Sequence, residues 1–161
     1  GYGRCASRIN YLLTKGIIMV LTDYAENKIY DALLRGQALG APATWYIGLC
    51  TDLRGDASAG TEPSGGAYAR VAVTANLTNF NSTQGNTSAS SGTDGTGENA
   101  VAITFPTSSA AWGNIQSVRF YDAITGGNSW IAIDLPAALN VSGAGFTPSF
   151  ANGQLSFQID N

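Results

Sequence analysis

Histidine is missing from all 161 residues of this chain. That removes Ser-His-Asp and Cys-His catalysis, histidine metal sites and histidine pH switches in one step. Charge is scarce as well, at 12 % of residues, and its balance is acidic, with eight Lys and Arg against eleven Asp and Glu. A nucleic-acid binder needs a basic face, so no nucleic-acid partner is expected. Two cysteines, Cys5 and Cys50, are too few for a disulfide framework, and their spacing carries no motif. Cys50 closes an apolar run and reads as a small buried hydrophobe. No apolar stretch approaches the roughly 20 residues of a membrane helix. The nearest, "IIMVL" at 17–21, is far too short, so no membrane insertion is expected.

What is present fits a packed β protein. Forty-four per cent of residues are hydrophobic and 20 are glycine. The length suits one domain, which buries roughly two-thirds of the surface of its unfolded chain. The first eighteen residues differ from the rest: they carry Arg4, Arg8 and Lys15 and no acid. Lys15-Gly16 can be encoded by a purine-rich ribosome-binding site just upstream of a Met19 codon. The expectation is that 1–18 is an upstream-translated or disordered extension and that 19–161 is a single domain. An intact mass starting before Met19 would remove the first idea. From Met19 onward, five basic residues face all eleven acids, a net charge of −6.

"TDYAENKIYDALLRG" (22–36) is the one convincing helix, predicted over 22–35. Thr22 or Asp23 can cap it, Glu26 stands three after Asp23 as in a capping box, and Gly36 can end it. Leu21, Ala25, Ile29, Ala32 and Leu33 share a face at helical spacing. Thereafter the period is two. Residues 43–50, 67–74, 100–105, 115–122, 129–134 and 154–160 read as strands, with shorter candidates at 77–80, 139–142 and 146–150. Many short strands separated by Gly-rich turns predict a mainly β fold, an antiparallel β-sandwich with one N-terminal α-helix. The segment 81–98 holds no large apolar residue and is predicted to be an exposed, flexible polar loop.

Candidate chemistry is thin. Arg70 sits in "GGAYARVAVT", where alternation turns Val71 and Val73 one way and Tyr68 and Arg70 the other. No acidic or nucleophilic neighbour stands at a recognisable spacing, so Tyr68 and Arg70 read as interface or scaffold residues. "RGD" (54–56) is an ordinary polar turn in a Gly/Ala/Ser loop. "DGTGE" (94–98) lacks the ligand pattern of a calcium loop, and no metal or other cofactor is implied. Asp122 and Asp134 are strand-end carboxylates. A glycosidase pair would need them ~5–9 Å apart, but aspartates before turns usually bond the turn backbone. Trp45, Trp112, Trp130, Tyr46, Tyr68 and Tyr121 could stack on sugars, although aromatic side chains mostly serve the core. Trp112, beside Gly113, is the one expected near a loop.

Four blocks together resemble a known family: "DYAENKIYDALLRGQALGAPATWYIGLCT" (23–51), "GTEPSGGAYARVAVT" (60–74), "NAVAITFPTSSAAWGNIQSVRFYDAITGGN" (99–128) and "FANGQLSFQID" (150–160). The chain is similar to small bacteriophage virion proteins usually labelled tail fibre proteins. The resemblance implies a non-enzymatic structural protein, made in the bacterial host cytoplasm and built into the virion, at the tail rather than the capsid. It implies other virion proteins as partners, assembly as a homo-oligomer, in such appendages commonly a trimer, and contact with a host surface glycan or protein. Capsid decoration and a free carbohydrate-binding module are the alternatives. Arg119 and Phe120 stand where the family pattern has a smaller, more apolar pair, and the 81–98 loop is longer than usual. Tyr68, Arg70, Trp112, Arg119 and Phe120 are therefore the candidate interface residues, and loops 51–66 and 81–98 the candidate contact loops.

Overall fold

The computed structural model describes residues 19–85, 87–92 and 95–159. The basic leader, the Met19-start reading and any role of Cys5 lie outside the described residues.

The chain enters as a short strand that periodicity did not predict, β1 (Met19–Leu21), and turns directly into α1 (Asp23–Leu34). Thr22 is the N-cap. Its hydroxyl accepts from the Ala25 amide at 3.4 Å and donates to the Ser129 carbonyl at 2.5 Å. With Thr22 in that position, Asp23 is the first helical residue, so the Asp23–Glu26 capping box does not form. The helix stops as predicted: Gly36 takes φ +69°, and the amides of Arg35 and Gln37 both donate to the Asp31 carbonyl. Only Ala25 is fully buried along the helix. The predicted apolar face ends in solvent at Leu33, 77 % exposed, and its neighbours Tyr30 and Leu34 are exposed too.

Seven further strands in chain order complete most of the fold: β2 (Thr44–Cys50), β3 (Val71–Thr74), β4 (Thr96–Glu98), β5 (Ile103–Thr104), β6 (Gly113–Tyr121), β7 (Ser129–Val141) and β8 (Ser149–Phe150). A last strand is β9 (Ser156–Gln158). One five-stranded sheet runs β1-β7-β6-β2-β3 with every neighbour antiparallel. Two ribbons, β4-β9 and β5-β8, form the opposing layer. The architecture is a mainly β, antiparallel sandwich.

The core lies between these layers. Register sets Ile47 beside Phe120 and Leu49 beside Val118, and carries the row on to Ile131 and Ile133 of β7. Ile103, Phe105, Phe150 and Leu155 meet them from the ribbon side. Full burial of an aliphatic or aromatic side chain stabilises by about 1.5–3 kcal/mol, so this row is the main source of cohesion.

Several predictions move for identifiable reasons. The strand at 67–74 shortens to Val71–Thr74, because Gly65, Gly66 and Ala67 all take positive φ in a turn. The pieces at 129–134 and 139–142 are one long strand, β7, joined through a bulge opposite Ile115–Ser117. Pro136 sits in that bulge, where its missing N–H breaks no ladder bond. Of the 81–98 segment, Gln84, Gly85 and residues 87–92 are exposed as predicted, but its last three residues, Thr96–Glu98, pair with β9 instead of looping.

Candidate functional site

The sheet's second face carries the unusual residues. Because paired strands keep side chains in register, Gly48, Arg119 and Ala132 form one row across β2, β6 and β7, with Cys50 beside Ser117 and Tyr46 beside Tyr121. This face is not solvated. The segment after β2, residues 51–62, folds back over it, so β6 is buried from Ser117 to Tyr121 on both sides. A strand covered on both faces loses the in–out alternation that a half-exposed strand shows.

Arg119 holds that cover. It is completely buried. Its Nη1 donates to the carbonyls of Ser58 at 2.7 Å and Gly55 at 3.2 Å, and its Nη2 to that of Leu53 at 3.3 Å. It makes no ion pair among the described residues; backbone dipoles solvate the charge instead. Gly60 takes φ +79°, and a Cβ there would lie 2.3 Å from Arg119 Nε, so conformation and space both require glycine. Next along the strand, the Tyr121 hydroxyl donates to the Ala59 carbonyl, which leaves the Cys50 thiol, 3.3 Å away, to donate to Tyr121. Burial pushes the Cys50 thiol and the Tyr121 hydroxyl above their ordinary values.

Arg70 and Tyr68 close the other end of the cover, and the acid invisible in the sequence is Glu62. Arg70 Nη2 lies 2.7 Å from Glu62 Oε2 and Nε lies 2.9 Å from Oε1, a two-pronged pair. Arg70 Nη1 donates to the carbonyls of Ala123 and Gly126, and its guanidinium lies 3.4 Å from the centre of the Tyr121 ring. Burial acts to lower the Arg70 pKa, but the Glu62 carboxylate outweighs it and the net shift is upward. Tyr68 accepts from the Leu49 amide at 2.8 Å and donates to Glu62 Oε1 at 2.7 Å. Burial first, and then Glu62, pushes its hydroxyl far up. Gly48 leaves the room: a Cβ there would stand 2.6 Å from Glu62 Oε1.

The structure thus brings Tyr68, Arg70 and Arg119 into one network over the second face. Trp112 is buried too: its indole N–H donates to the Gly66 carbonyl at 2.8 Å and its ring meets Tyr68 edge-on. Phe120 belongs to the opposite, core face, against Trp45, Phe80 and Phe157. All five are held within the chain, and Arg119 and Phe120 present essentially no surface. Sequence reasoning missed Glu62 and Tyr121. A lone acid in a Gly/Ser/Pro loop gave no signal, and Tyr121 looked like one more core aromatic.

The remaining candidates resolve into architecture. Arg54 of "RGD" donates from its backbone N at 2.6 Å and from its guanidinium at 2.8 Å to Asp134. Asp122 accepts from the Asn128 amide at 2.7 Å, the Asn128 side chain and the Trp130 indole, which is the turn-bonding role. Asp94 lies outside the described residues.

Against known proteins, a family model described as "Podophage GP4 fiber I protein gp80" matches residues 20–158. No curated protein matches the chain.

Proposed function

The chain belongs to the family of the podophage GP4 fiber I protein gp80, and from that premise we propose that it is a non-enzymatic structural component of the phage tail. The observation that carries this reading is the match across nearly every described residue, joined to a fold whose polar residues are spent on holding the chain together. The conspicuous cations serve cohesion: Arg54, Arg70 and Arg119 all bond inside the molecule. An enzyme or a charge-steered binder keeps such groups for its ligand. In our reading the fibre protein meets other virion proteins and assembles as a homo-oligomer, three copies being the expected number. Residues 19–161 act as one domain, and the loop whose residues 84, 85 and 87–92 are exposed is the contact toward a host surface or a neighbouring protein.

The deciding experiment is gold-tagged antibody labelling of purified particles. Gold at the tail is the expected result. Gold over the shell would make the protein a capsid decoration component, and protein free in the lysate with none on particles would sink both virion readings. Deleting 84–92 should lower adsorption or assembly; unchanged particles would remove that loop's role.

A further inference from the structure

Asn152-Gly153 is the only Asn-Gly step in the chain, and it lies in the turn between β8 and β9. Gln154 N donates to the Ala151 carbonyl at 3.1 Å, which closes a four-residue turn with Asn152 and Gly153 at its centre. Gly153 takes φ +76°, and a Cβ there would stand 3.1 Å from Glu98 Oε2, so the turn requires glycine. Asn152 is exposed. The Gly153 amide is held: it donates to the Asn99 carbonyl at 2.7 Å. Asn99 is completely buried and ties the turn to the ribbons. Its Nδ2 donates to the carbonyls of Val101 and Ala151, both at 2.8 Å, and its Oδ1 accepts from the Leu155 amide at 2.7 Å. β4 and β9 pair immediately beyond it, and Phe157 of β9 packs against Phe80 and Phe120.

A glycine after an asparagine leaves the next backbone nitrogen unshielded by any side chain. We propose that Asn152 is a site of spontaneous deamidation and that the bond from Gly153 to Asn99 sets its pace. Gly153 N, having lost its proton to hydroxide, bonds to Asn152 Cγ. The Cγ–Nδ2 bond breaks, and the side-chain nitrogen takes a proton from water and leaves as ammonia. The succinimide so formed adds one water, and one of its two ring C–N bonds opens. The product is aspartate, or isoaspartate with the backbone routed through the β-carbon. Attack requires the Gly153 amide to leave Asn99, so the folded chain reacts while the turn is open, a local event that costs less than global unfolding. The product also acts back on the fold. Either form places a new carboxylate one residue from the glycine that Glu98 stands over, and isoaspartate lengthens the turn by one backbone carbon. Both oppose reclosure of the turn on Asn99 and so weaken the β4–β9 ribbon beside it. The inference rests on this turn alone and is independent of where in the particle the protein stands.

The test incubates the full chain at mildly alkaline pH, folded in buffer and unfolded in urea. Peptide mass mapping follows the exchange of the side-chain NH2 for OH, and enzymatic methylation of isoaspartate identifies that product. Asn152 should convert in the folded chain ahead of every other asparagine, at least about tenfold more slowly than in urea, the order of one closed hydrogen bond. Gln154→Ala removes the side-chain acceptor of the Ala151 amide, and Asn99→Ala removes three buried bonds around the turn. Each should raise the folded-state rate severalfold, and Gln154→Ala, at the less buried of the two positions, keeps the test open should Asn99→Ala fail to fold. Asn152→Gln should abolish the reaction, because its longer side chain would need a larger ring. Aged parent protein should melt about 2–4 °C below fresh protein, and aged Asn152→Gln should not. A folded chain that stays amidated while the unfolded chain converts, an unchanged rate in Gln154→Ala, or an aged parent with the Tm of fresh protein would each overturn the assignment.

Discussion

Arg119 shows how one residue can look like a contact in sequence and act as a clamp in the fold. Its three carbonyl partners all lie in the segment covering the second sheet face. Arg119→Met keeps much of the volume and strands those carbonyls. Each buried unsatisfied polar group costs about 1–3 kcal/mol, so the variant should lose about 3 kcal/mol of stability in urea unfolding, with early proteolysis in 51–62. Asp122 makes a pH-dependent contribution. Burial acts to raise its pKa, but the Asn128 and Trp130 bonds outweigh it and hold the group below its ordinary 3.8. A carboxyl with a depressed folded-state pKa stabilises above the unfolded value and loses that contribution as pH falls through the folded one. Asp122→Asn should therefore destabilise at neutral pH, and the gap from the parent should close below about pH 4 in acid unfolding curves.

Among the elements, α1 is the least integrated. It is tied down at its start, where the Thr22 hydroxyl bridges the helix and β7, and its far end projects into solvent. Thr22→Ala removes a cap and a buried bond to the Ser129 carbonyl together, and should cost about 1–2 kcal/mol in thermal or chemical unfolding. Leu33→Glu, by contrast, should change stability by no more than about 0.5 kcal/mol, because its side chain is already in water. If light scattering shows that the same variant lowers the oligomer mass, the helix tip is part of the subunit contact. The covering segment behaves in the opposite way: it reads as loose linker and is pinned at Leu53, Arg54, Gly55, Ser58, Ala59 and Glu62.

At the scale of the whole molecule, the centre of the large sheet, Ile47–Cys50 of β2 and Ser117–Tyr121 of β6, is sealed on both faces, by the ribbons on one side and the covering segment on the other. Cys50 reports on both seals. It is fully buried, and burial raises its thiol pKa, so little thiolate is present near neutral pH. In a Cys5→Ser background, Cys50 should react with a disulfide reagent only at the rate of global unfolding. Fast reaction in native buffer would mean that the cover opens on its own.

The helix with its glycine stop, the six principal strand regions, the sandwich class and the phage fibre family were all readable in the chain, because periodicity, turn residues and local motif blocks are properties of neighbours in sequence. β1 was not readable, being three residues that gain strand geometry only by pairing with β7. The joining of β7 across Pro136 was hidden too, since the bulge depends on what β6 offers opposite it. Above all, the meaning of Arg70 and Arg119 waited on the tertiary structure. Arg70's acid lies 8 residues away and its carbonyl partners 53 and 56 away, and those of Arg119 lie 61 to 66 away. Arg119 partners only backbone carbonyls, which carry no residue-type signature. Only the return of the 51–62 segment over the sheet turned two apparently exposed cations into the bolts that hold it there.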